Sequence, residues 1–250
     1  MCTLFIGKKV HSKYKLIFMG NRDEFYKRPT LASHYWSECK DIYGGRDLLS
    51  CGSWTAINKN GRIAFLTNYR DFSLHKEQAI SRGKLVYDFL RKDMTSIQYL
   101  DELKSKSENY DPYNIIFGDI HDLYYFNNVD NSCQRLEDGI YGLSNGFLNT
   151  PWKKVQFGME MMQNIVSRDF QISELLDIME NDLPAEDSEL PETGLPYDKE
   201  KLLSRLFIKS ESYGTRVTTI ILVDNNDKVE YVEKDHIRGM ISYRTIELDV

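Results

Sequence analysis

The sequence predicts an α+β fold in which antiparallel β-sheets are layered with α-helices. Alternating apolar runs flank Asn60-Gly61, a pair that is typical of a two-residue hairpin turn. Helical periodicity then extends from residue 81 to about residue 106, and a run rich in β-branched residues at 214–223 needs a sheet to join. Hairpins and helices that occur in blocks, rather than in strict alternation, indicate antiparallel sheets with helices packed on them.

The first elements along the chain are predicted to be β-hairpins. Residues 3–7 and 14–20 are strand-like apolar runs around a polar turn, so they predict the first hairpin. Residues 54–58 and 63–67 lie on either side of Asn60-Gly61 and predict the second. This half of the chain therefore builds mainly sheet.

Two helices are predicted next. A helix over residues 81–91 follows from apolar residues at helical spacing, namely Leu85, Val86, Phe89 and Leu90. Thr95, with Gln98 three residues later, has the pattern of a capping box and predicts a second helix that ends at about Lys106.

Strands return in the second half of the chain before another helix. Strands are predicted at 114–119 and 123–127, with a short one near Tyr141. Thr150 followed by Pro151 has the pattern of an N-cap and a first helical position, which predicts a helix through residue 165.

The last part of the chain is predicted to hold a helix, a loop and a hairpin. Residues 173–181 are predicted to be helical. Residues 182–198 contain three prolines among six acidic residues and predict a mobile surface loop. Beyond it, the strand at 214–223 turns at Asn225-Asn226 into a strand over residues 228–233.

Length and composition indicate a single globular domain over residues 1–250. The chain has 41% hydrophobic and 28% charged residues, and its net charge of −6 with scattered Lys and Arg argues against nucleic acid as a partner. The longest apolar runs, such as 219–223, fall far short of the ~20 residues that cross a bilayer. Since the start of the chain has no signal-peptide pattern either, we expect a cytoplasmic protein without a transmembrane segment. The oligomeric state is left open.

The sequence marks no metal site. The four cysteines are Cys2, Cys39, Cys51 and Cys133, and none belongs to a Cys-x-x-Cys pair. The five histidines contain no His-Glu-x-x-His motif and are scattered, at His11, His34, His75, His121 and His236. Reduced thiols are expected, and no cofactor is required.

Cys2 is a candidate nucleophile because of its place in the chain. A small second residue allows Met1 to be removed, which leaves one residue with both a thiol and a free α-amine. The pKa of an α-amine is about 7.7–8.0, so the amine can take the thiol proton at neutral pH. The alternative is a buried cysteine that happens to be second.

A polar cluster, Asn21-Arg22-Asp23-Glu24, follows the second predicted strand. The first hairpin would bring it back beside Cys2, where Arg22 would lower the pKa of the thiol and a carboxylate would orient the α-amine. The alternative is a polar turn that is capped by its own Asn and Asp side chains.

Three more residues are candidates for the site. Strand alternation places Arg216 on the largely apolar face of Thr218, Ile220 and Leu222, and Thr215 on the other face. A charged side chain on such a face needs a carboxylate partner, which would be Asp23, Glu24 or a substrate carboxylate. Its head would reach water instead if the strand frays at that point. The other two are amides at predicted strand ends, where they suit an oxyanion hole, although Asn-Gly also suits an ordinary turn: Asn68 and Asn145.

In series, these and other short blocks resemble the NRDE family, also called the transport and Golgi organisation protein 2 family. The resemblance extends from residue 1 to about residue 225. The blocks are Met1-Cys2, residues 20–25, Arg28-Pro29, residues 52–54, residues 66–69, Arg82-Gly83, residues 141–145, residues 150–152 and residues 213–216.

The family in turn is similar to N-terminal-nucleophile (Ntn) hydrolases of the choloylglycine hydrolase and penicillin V acylase type. This resemblance implies a four-layer αββα sandwich with two packed antiparallel sheets. It implies that Cys2 is the nucleophile and that Arg22 supports it together with Asp23 or Glu24. It also implies that Asn68 and Asn145 are oxyanion donors and that Arg216 is a distal cation. Ligand contacts are predicted for Asn21, Trp54 and Tyr69.

One motif departs from the acylases. They have Gly-Arg-Asn-x-Asp at this place, whereas this chain has Gly20 followed by Asn21-Arg22-Asp23-Glu24. Arg and Asn are exchanged, so the resemblance does not settle which carboxylate meets the amine of Cys2.

Two functional hypotheses follow. The first is a cysteine amidohydrolase that cleaves the amide C–N bond of a small acyl compound, with Cys2 as nucleophile after Met1 is removed. The second is a non-enzymatic protein of haem trafficking or acyl-lipid metabolism, which would bind haem or acyl-coenzyme A on the same scaffold. Only the first requires a free α-amine on Cys2.

Overall fold

The computed structural model describes residues 2–249 of the chain, so the predicted removal of Met1 falls outside the described residues. The described strands, in chain order, are β1 (Cys2–Lys8), β2 (Tyr14–Phe25), β3 (Thr30–Trp36), β4 (Cys39–Asp47), β5 (Thr55–Asn58), β6 (Arg62–Asn68), β7 (Tyr113–Asp119), β8 (Leu123–Asn127), β9 (Cys133–Leu136), β10 (Gly139–Leu143), β11 (Tyr213–Asp224), β12 (Val229–Asp235) and β13 (Met240–Ile246). The α-helices are α1 (Gly83–Arg91), α2 (Ser96–Lys106), α3 (Lys153–Ile165), α4 (Ile172–Met179) and α5 (Tyr197–Leu203).

The described residues fall into two compact units. The first comprises residues 2–27 and 137–246, and the second comprises residues 28–136 and 247–249. The single domain that the sequence predicts over residues 1–250 stays a prediction.

The first unit is an antiparallel sheet with helices on one side. Its strand order is β10-β1-β2-β11-β12-β13. Alternate residues of the central strands, such as Phe5, Met19 and Ile220, are fully buried and pack in one core with residues of α3 and α4, such as Met162 and Leu175. We call this side of the sheet the helix-facing side, and the other residues of each strand lie on the opposite side.

The second unit repeats this arrangement with its own sheet and helices. The strand order is β3-β4-β5-β6-β7-β8-β9, and all pairs are antiparallel. Ala64, Ile115 and Phe117 from the sheet share a core with residues of α1 and α2, such as Phe89 and Leu103. Among residues 2–249, no helix has the length and apolar character needed to cross a bilayer.

Several predicted elements match the structure closely. The first two hairpins, the strands before and after residue 120 and the final hairpin are present. The capping box that opens α2 is also present, because Thr95 accepts from the backbone of Gln98 and the Gln98 side chain accepts from the backbone of Thr95.

The predicted start of the third helix was wrong by two residues. Thr150 does not cap it, since its hydroxyl donates to the carbonyl of Phe147 at 2.8 Å. The N-cap is Trp152, whose backbone N–H donates to the carbonyl of Thr150, and α3 begins at Lys153. Thr150 and Pro151 therefore belong to the turn that precedes the helix.

The acidic segment 182–198, predicted as a loop, contains short structure of its own. A 3-10 turn lies at Asp187–Glu189, and α5 begins at Tyr197. Glu200 of α5 is buried and accepts hydrogen bonds from the backbone and hydroxyl of Thr193. These contacts hold the segment to the helix that follows it.

A glycine sets how closely α3 approaches the sheet, and its replacement tests this packing. A Cβ on Gly158 would lie 2.0 Å from Cζ of Phe5, which is fully buried in β1. Ala favours a helix over Gly by about 1 kcal/mol, but overpacking a core costs about 1–3 kcal/mol. We therefore expect Gly158→Ala to lower the free energy of unfolding by about 1–2 kcal/mol in denaturant titration, against the helix propensity.

The matched control lies on the exposed side of the same helix. Gln163→Ala is expected to change stability by no more than about 0.5 kcal/mol. A Gly158→Ala protein that is as stable as the wild type would show that the helix does not pack this closely on β1.

Candidate active site at the end of the first hairpin

The pairing of β1 with β2 brings Cys2 directly opposite Arg22. Paired residues of neighbouring strands point to the same side of a sheet. Thr3 and Asn21, the next pair, lie on the same side as Phe5 and Met19, which face the helices. Cys2 and Arg22 therefore lie together on the opposite side of the sheet. Cys2 is partly exposed and is a free thiol, whereas Arg22 is buried.

Opposing effects act on the pKa of the Cys2 thiol. Burial raises the pKa above its usual value, and the negative charge of Asp23 raises it further. The guanidinium of Arg22 lowers it, as does the backbone N–H of Asp23, which donates to the sulfur. Because burial has the largest effect, the resting thiol is held in its protonated form.

The two candidate carboxylates have different surroundings. Asp23 is only 1% exposed, and its Oδ1 accepts a hydrogen bond of 2.7 Å from the hydroxyl of Thr215. The hydroxyl of Tyr213 donates to the backbone carbonyl of Asp23 at 3.1 Å. Glu24 is partly exposed and its Oε1 accepts from the backbone N–H of Phe25. Asp23 is therefore the more deeply buried of the two carboxylates, and its charge acts on the Cys2 thiol.

A β-bulge at Arg216 corrects the predicted faces of β11. The register shifts between Thr215 and Val217, so that Thr215 pairs with Asp23 and Thr218 pairs with Asn21. Thr215 and Thr218 consequently lie on the same side of the sheet, whereas simple alternation predicted opposite sides. An extra residue in the strand is the cause.

Arg216 is the extra residue of that bulge. It is partly exposed, and its Nη1 donates to the backbone carbonyl of Phe25 at 3.2 Å. Since β11 already begins at Tyr213, Arg216 does not lie at a frayed strand start. Its predicted role as a distal cation stays a prediction.

Asn145 lies close to Cys2 through its neighbour Ser144. The Ser144 hydroxyl is 3.0 Å from the hydroxyl of Thr3 and 3.4 Å from the backbone carbonyl of Cys2. Asn145 itself is 1% exposed, with its Oδ1 3.5 Å from the Ser144 hydroxyl. The segment after β10 is thus held against the start of β1.

Asn21 is placed on the helix-facing side, where its amide is used within the protein. Its Nδ2 donates to the carbonyls of Met179 and Leu206, at 2.8 and 3.0 Å. Its Oδ1 accepts from the hydroxyl of Thr218 at 2.6 Å. The predicted contact of Asn21 with a ligand stays a prediction.

The remaining predicted site residues belong to the second unit. Asn68 ends β6, in register with Tyr113 of β7. Tyr69 follows it, donates its backbone N–H to the carbonyl of Pro112, and has a side-chain pKa raised by burial. Trp54 is buried with its ring against Gly45, where a Cβ would lie 2.3 Å from the ring.

Some residues around the site have no motif that would have revealed them. Ser144, Thr215 and Thr218 look like ordinary strand residues in the sequence, and only the register shows their neighbours. His236 was one of five scattered histidines, yet its Nε2 is 2.8 Å from the Thr218 hydroxyl. Within residues 2–249, no cluster of three His, Cys, Asp or Glu side chains is arranged to hold a metal ion.

Two solved structures share the fold. An N-acylethanolamine-hydrolyzing acid amidase ortholog from Caenorhabditis elegans aligns with a TM-score of 0.51 at 10% identity, covering 88% of this chain and 92% of that chain. A mutant of the conjugated bile acid hydrolase from Clostridium perfringens aligns with the same TM-score at 10% identity, covering 98% of this chain and 92% of that chain. The predicted α+β fold of the Ntn-hydrolase type is confirmed.

Sequence comparison shows the family. The human Transport and Golgi organization protein 2 homolog is 34% identical over 269 residues, covering 97% of this chain and 96% of that protein. The mouse homolog is 33% identical, and the Drosophila melanogaster protein is 25% identical, each over 260 residues that cover 94% of this chain and 92% of the relative. A family model described as Transport and Golgi organisation 2 matches residues 1–238. The chain therefore belongs to the Transport and Golgi organisation 2 family.

Proposed function

We propose that this protein is a cytoplasmic Ntn-type cysteine amidohydrolase that cleaves the amide C–N bond of a small acyl compound. The observation that carries the proposal is the pairing of Cys2 with Arg22 at the end of the first hairpin, with the backbone N–H of Asp23 directed at the sulfur. A structural neighbour that is named as an acid amidase supports the scaffold for such a reaction. The proposed reaction requires neither a metal nor a cofactor.

The state of the thiol explains why a free α-amine would matter. Burial keeps the Cys2 thiol protonated, so attack on a carbonyl requires a base. Removal of Met1 would provide that base on Cys2 itself. The sulfur would then form a bond with the acyl carbon while its proton moves to the α-amine, directly or through water.

We propose Asp23, rather than Glu24, as the carboxylate that orients this amine. In the antiparallel register Cys2 lies opposite Arg22, so Asp23 is the first residue of β2 beyond that pair, in the direction of the amino end of Cys2. Asp23 is buried and acts electrostatically on the thiol, while Glu24 is partly exposed. An oriented ammonium can return its proton to the leaving nitrogen as the C–N bond breaks.

Asn145 is proposed to stabilise the negative charge on the acyl oxygen. It is buried and held beside Cys2 through Ser144, and side-chain amides donate well to an oxyanion. Asn68, in the second unit, stays a prediction as second donor. Water would finally attack the acyl–sulfur bond, releasing the carboxylic acid and restoring the thiol.

Replacing the nucleophile tests the reaction directly. We expect Cys2→Ser and Cys2→Ala to lower turnover of a series of acyl aminocoumarin amides by at least about a thousandfold, because loss of the nucleophile removes the covalent step. Turnover is followed by the fluorescence of the released amine. The matched controls are two exposed cysteines, and Cys51→Ser and Cys133→Ser should retain full activity.

One result would contradict the hydrolase proposal. If the wild type cleaves none of the amides and both Cys2 variants bind haem or acyl-coenzyme A as it does, the hydrolase proposal is wrong. A binding and trafficking role would then be the better account of the scaffold.

Substitution of Arg22 and substitution of Asp23 are expected to shift the pKa of the Cys2 thiol in opposite directions. A small electrophile reacts with the thiolate, so its rate of reaction with Cys2 rises as pH passes the thiol pKa. Arg22 lowers that pKa and Asp23 raises it. Arg22→Gln should therefore move the rate profile to higher pH, and Asp23→Asn should move it to lower pH, in labelling followed by peptide mass spectrometry.

Glu24→Gln is the matched control for these variants. It removes a carboxylate one residue further along β2 and should move the profile much less than Asp23→Asn does. Equal shifts for the two carboxylates would contradict the assignment of Asp23. Shifts of the same sign for Arg22→Gln and Asp23→Asn would contradict the electrostatic account.

A further inference from the structure

A row of polar side chains crosses the helix-facing side of the first sheet, one residue behind Cys2 and Arg22. Thr3 and Asn21 are a cross-strand pair, and Asn21 pairs in turn with Thr218. Ser144 extends the row beyond Thr3, and His236 extends it beyond Thr218. Apart from His236, every member of this polar row is at most 2% exposed.

The hydrogen bonds of the polar row have a fixed direction. Asn21 donates both Nδ2 hydrogens, one to the carbonyl of Met179 and one to that of Leu206. These bonds orient the amide, so that Oδ1 is the acceptor. The single hydroxyl hydrogen of Thr218 goes to that Oδ1 at 2.6 Å. The bond of 2.8 Å between Thr218 and His236 Nε2 must then run from the histidine to the hydroxyl oxygen.

This direction determines the tautomer of His236. Its Nε2 carries the hydrogen, and burial lowers the pKa of the ring to about 4, so the ring is neutral at physiological pH. The charged groups around it are Glu180, Lys234, Asp235 and Lys209. The ring lies edge-on to Phe207, with centroids 4.7 Å apart, which fixes its position.

The polar row is attached to the proposed site by covalent and backbone links. Asn21 immediately precedes Arg22 in β2, and Thr3 immediately follows Cys2 in β1. The backbone N–H of His236 donates to the carbonyl of Arg216, the bulge residue of β11. His236 is thus connected, through Thr218 and Asn21, to the strand segments that carry Arg22 and Asp23.

We infer that His236 is a positioning residue for the Cys2 site, acting through Thr218 and Asn21 to hold Arg22 and Asp23 in place. His236 touches neither Cys2 nor a substrate in this role. Its consequence for catalysis rests on the proposed function, but its effect on the Cys2 thiol does not. If His236 had a purely structural role, its replacement would alter stability, but the reactivity of Cys2 would not depend on whether the new side chain can donate to Thr218.

The test uses substitutions that separate the donated hydrogen from the ring. The side-chain N–H of Gln lies near the position of Nε2 and can donate to Thr218, whereas Asn is too short and Phe has no donor. The variants are His236→Gln, His236→Asn, His236→Phe, Thr218→Val and Thr218→Ser. Each is made in the full chain, and thermal unfolding identifies any variant that fails to fold.

The readout is the rate of Cys2 labelling by a small electrophile as a function of pH. His236→Phe, His236→Asn and Thr218→Val should move the profile by at least about half a pKa unit, so that labelling at neutral pH changes about threefold or more. The shift is expected because Arg22 and Asp23, which act on the thiol with opposite sign, would no longer keep their fixed distances to it. His236→Gln and Thr218→Ser should stay within about twofold of the wild type. If Thr218→Val fails to fold, the His236 series alone decides.

Two results would overturn the inference. One is a His236→Phe protein whose Cys2 profile is that of the wild type. The other is a nitrogen NMR spectrum of the wild type in which Nδ1, rather than Nε2, carries the ring hydrogen. Since labelling requires no turnover, a wild type that cleaves no amide would refute the proposed function while leaving this positioning role to be read from the thiol profile.

Discussion

The candidate site depends on the register in which β1 pairs with β2. Successive side chains of a strand point to opposite sides, so a shift of one residue would carry Cys2 to the helix-facing side. The register is held by buried rows such as Phe5 with Met19 and Ile220, which fit against α3 and α4. Packing of the apolar core thereby fixes Arg22 as the cross-strand partner of Cys2.

A second constraint comes from β11, which pairs with the other edge of β2. The bulge at Arg216 lets Thr215 and Thr218 point to the same side, and each donates to a different residue of the β2 end, Asp23 or Asn21. Without the extra residue, one of these two hydroxyls would face away. Local irregularity in one strand thus supplies two hydrogen bonds that regular pairing would not.

Much of the fold could be predicted because local signals agreed with the tertiary structure. Asn60-Gly61 and the Thr95 capping box depend on neighbouring residues alone, and both elements occur as predicted. Four strands were missed: β3, β4, β9 and β13. The β3–β4 pair has two register shifts, and β9 and β13 are largely exposed, so none of the four shows clean apolar alternation. Cys2 and Arg22 were found from the chain start and the motif, whereas Thr215, Thr218 and His236 depend on contacts that are distant in sequence.

The proposed reaction depends on a covalent bond between Cys2 and the acyl group of an amide substrate. The most direct measurement is the mass of the N-terminal peptide after the protein is mixed with an acyl amide and quenched in acid. A peptide that begins at Cys2, without Met1, and carries one acyl group is the predicted result. A peptide that retains Met1 and carries no acyl group, or an acyl group on Cys39, Cys51 or Cys133 instead, would contradict the proposed reaction.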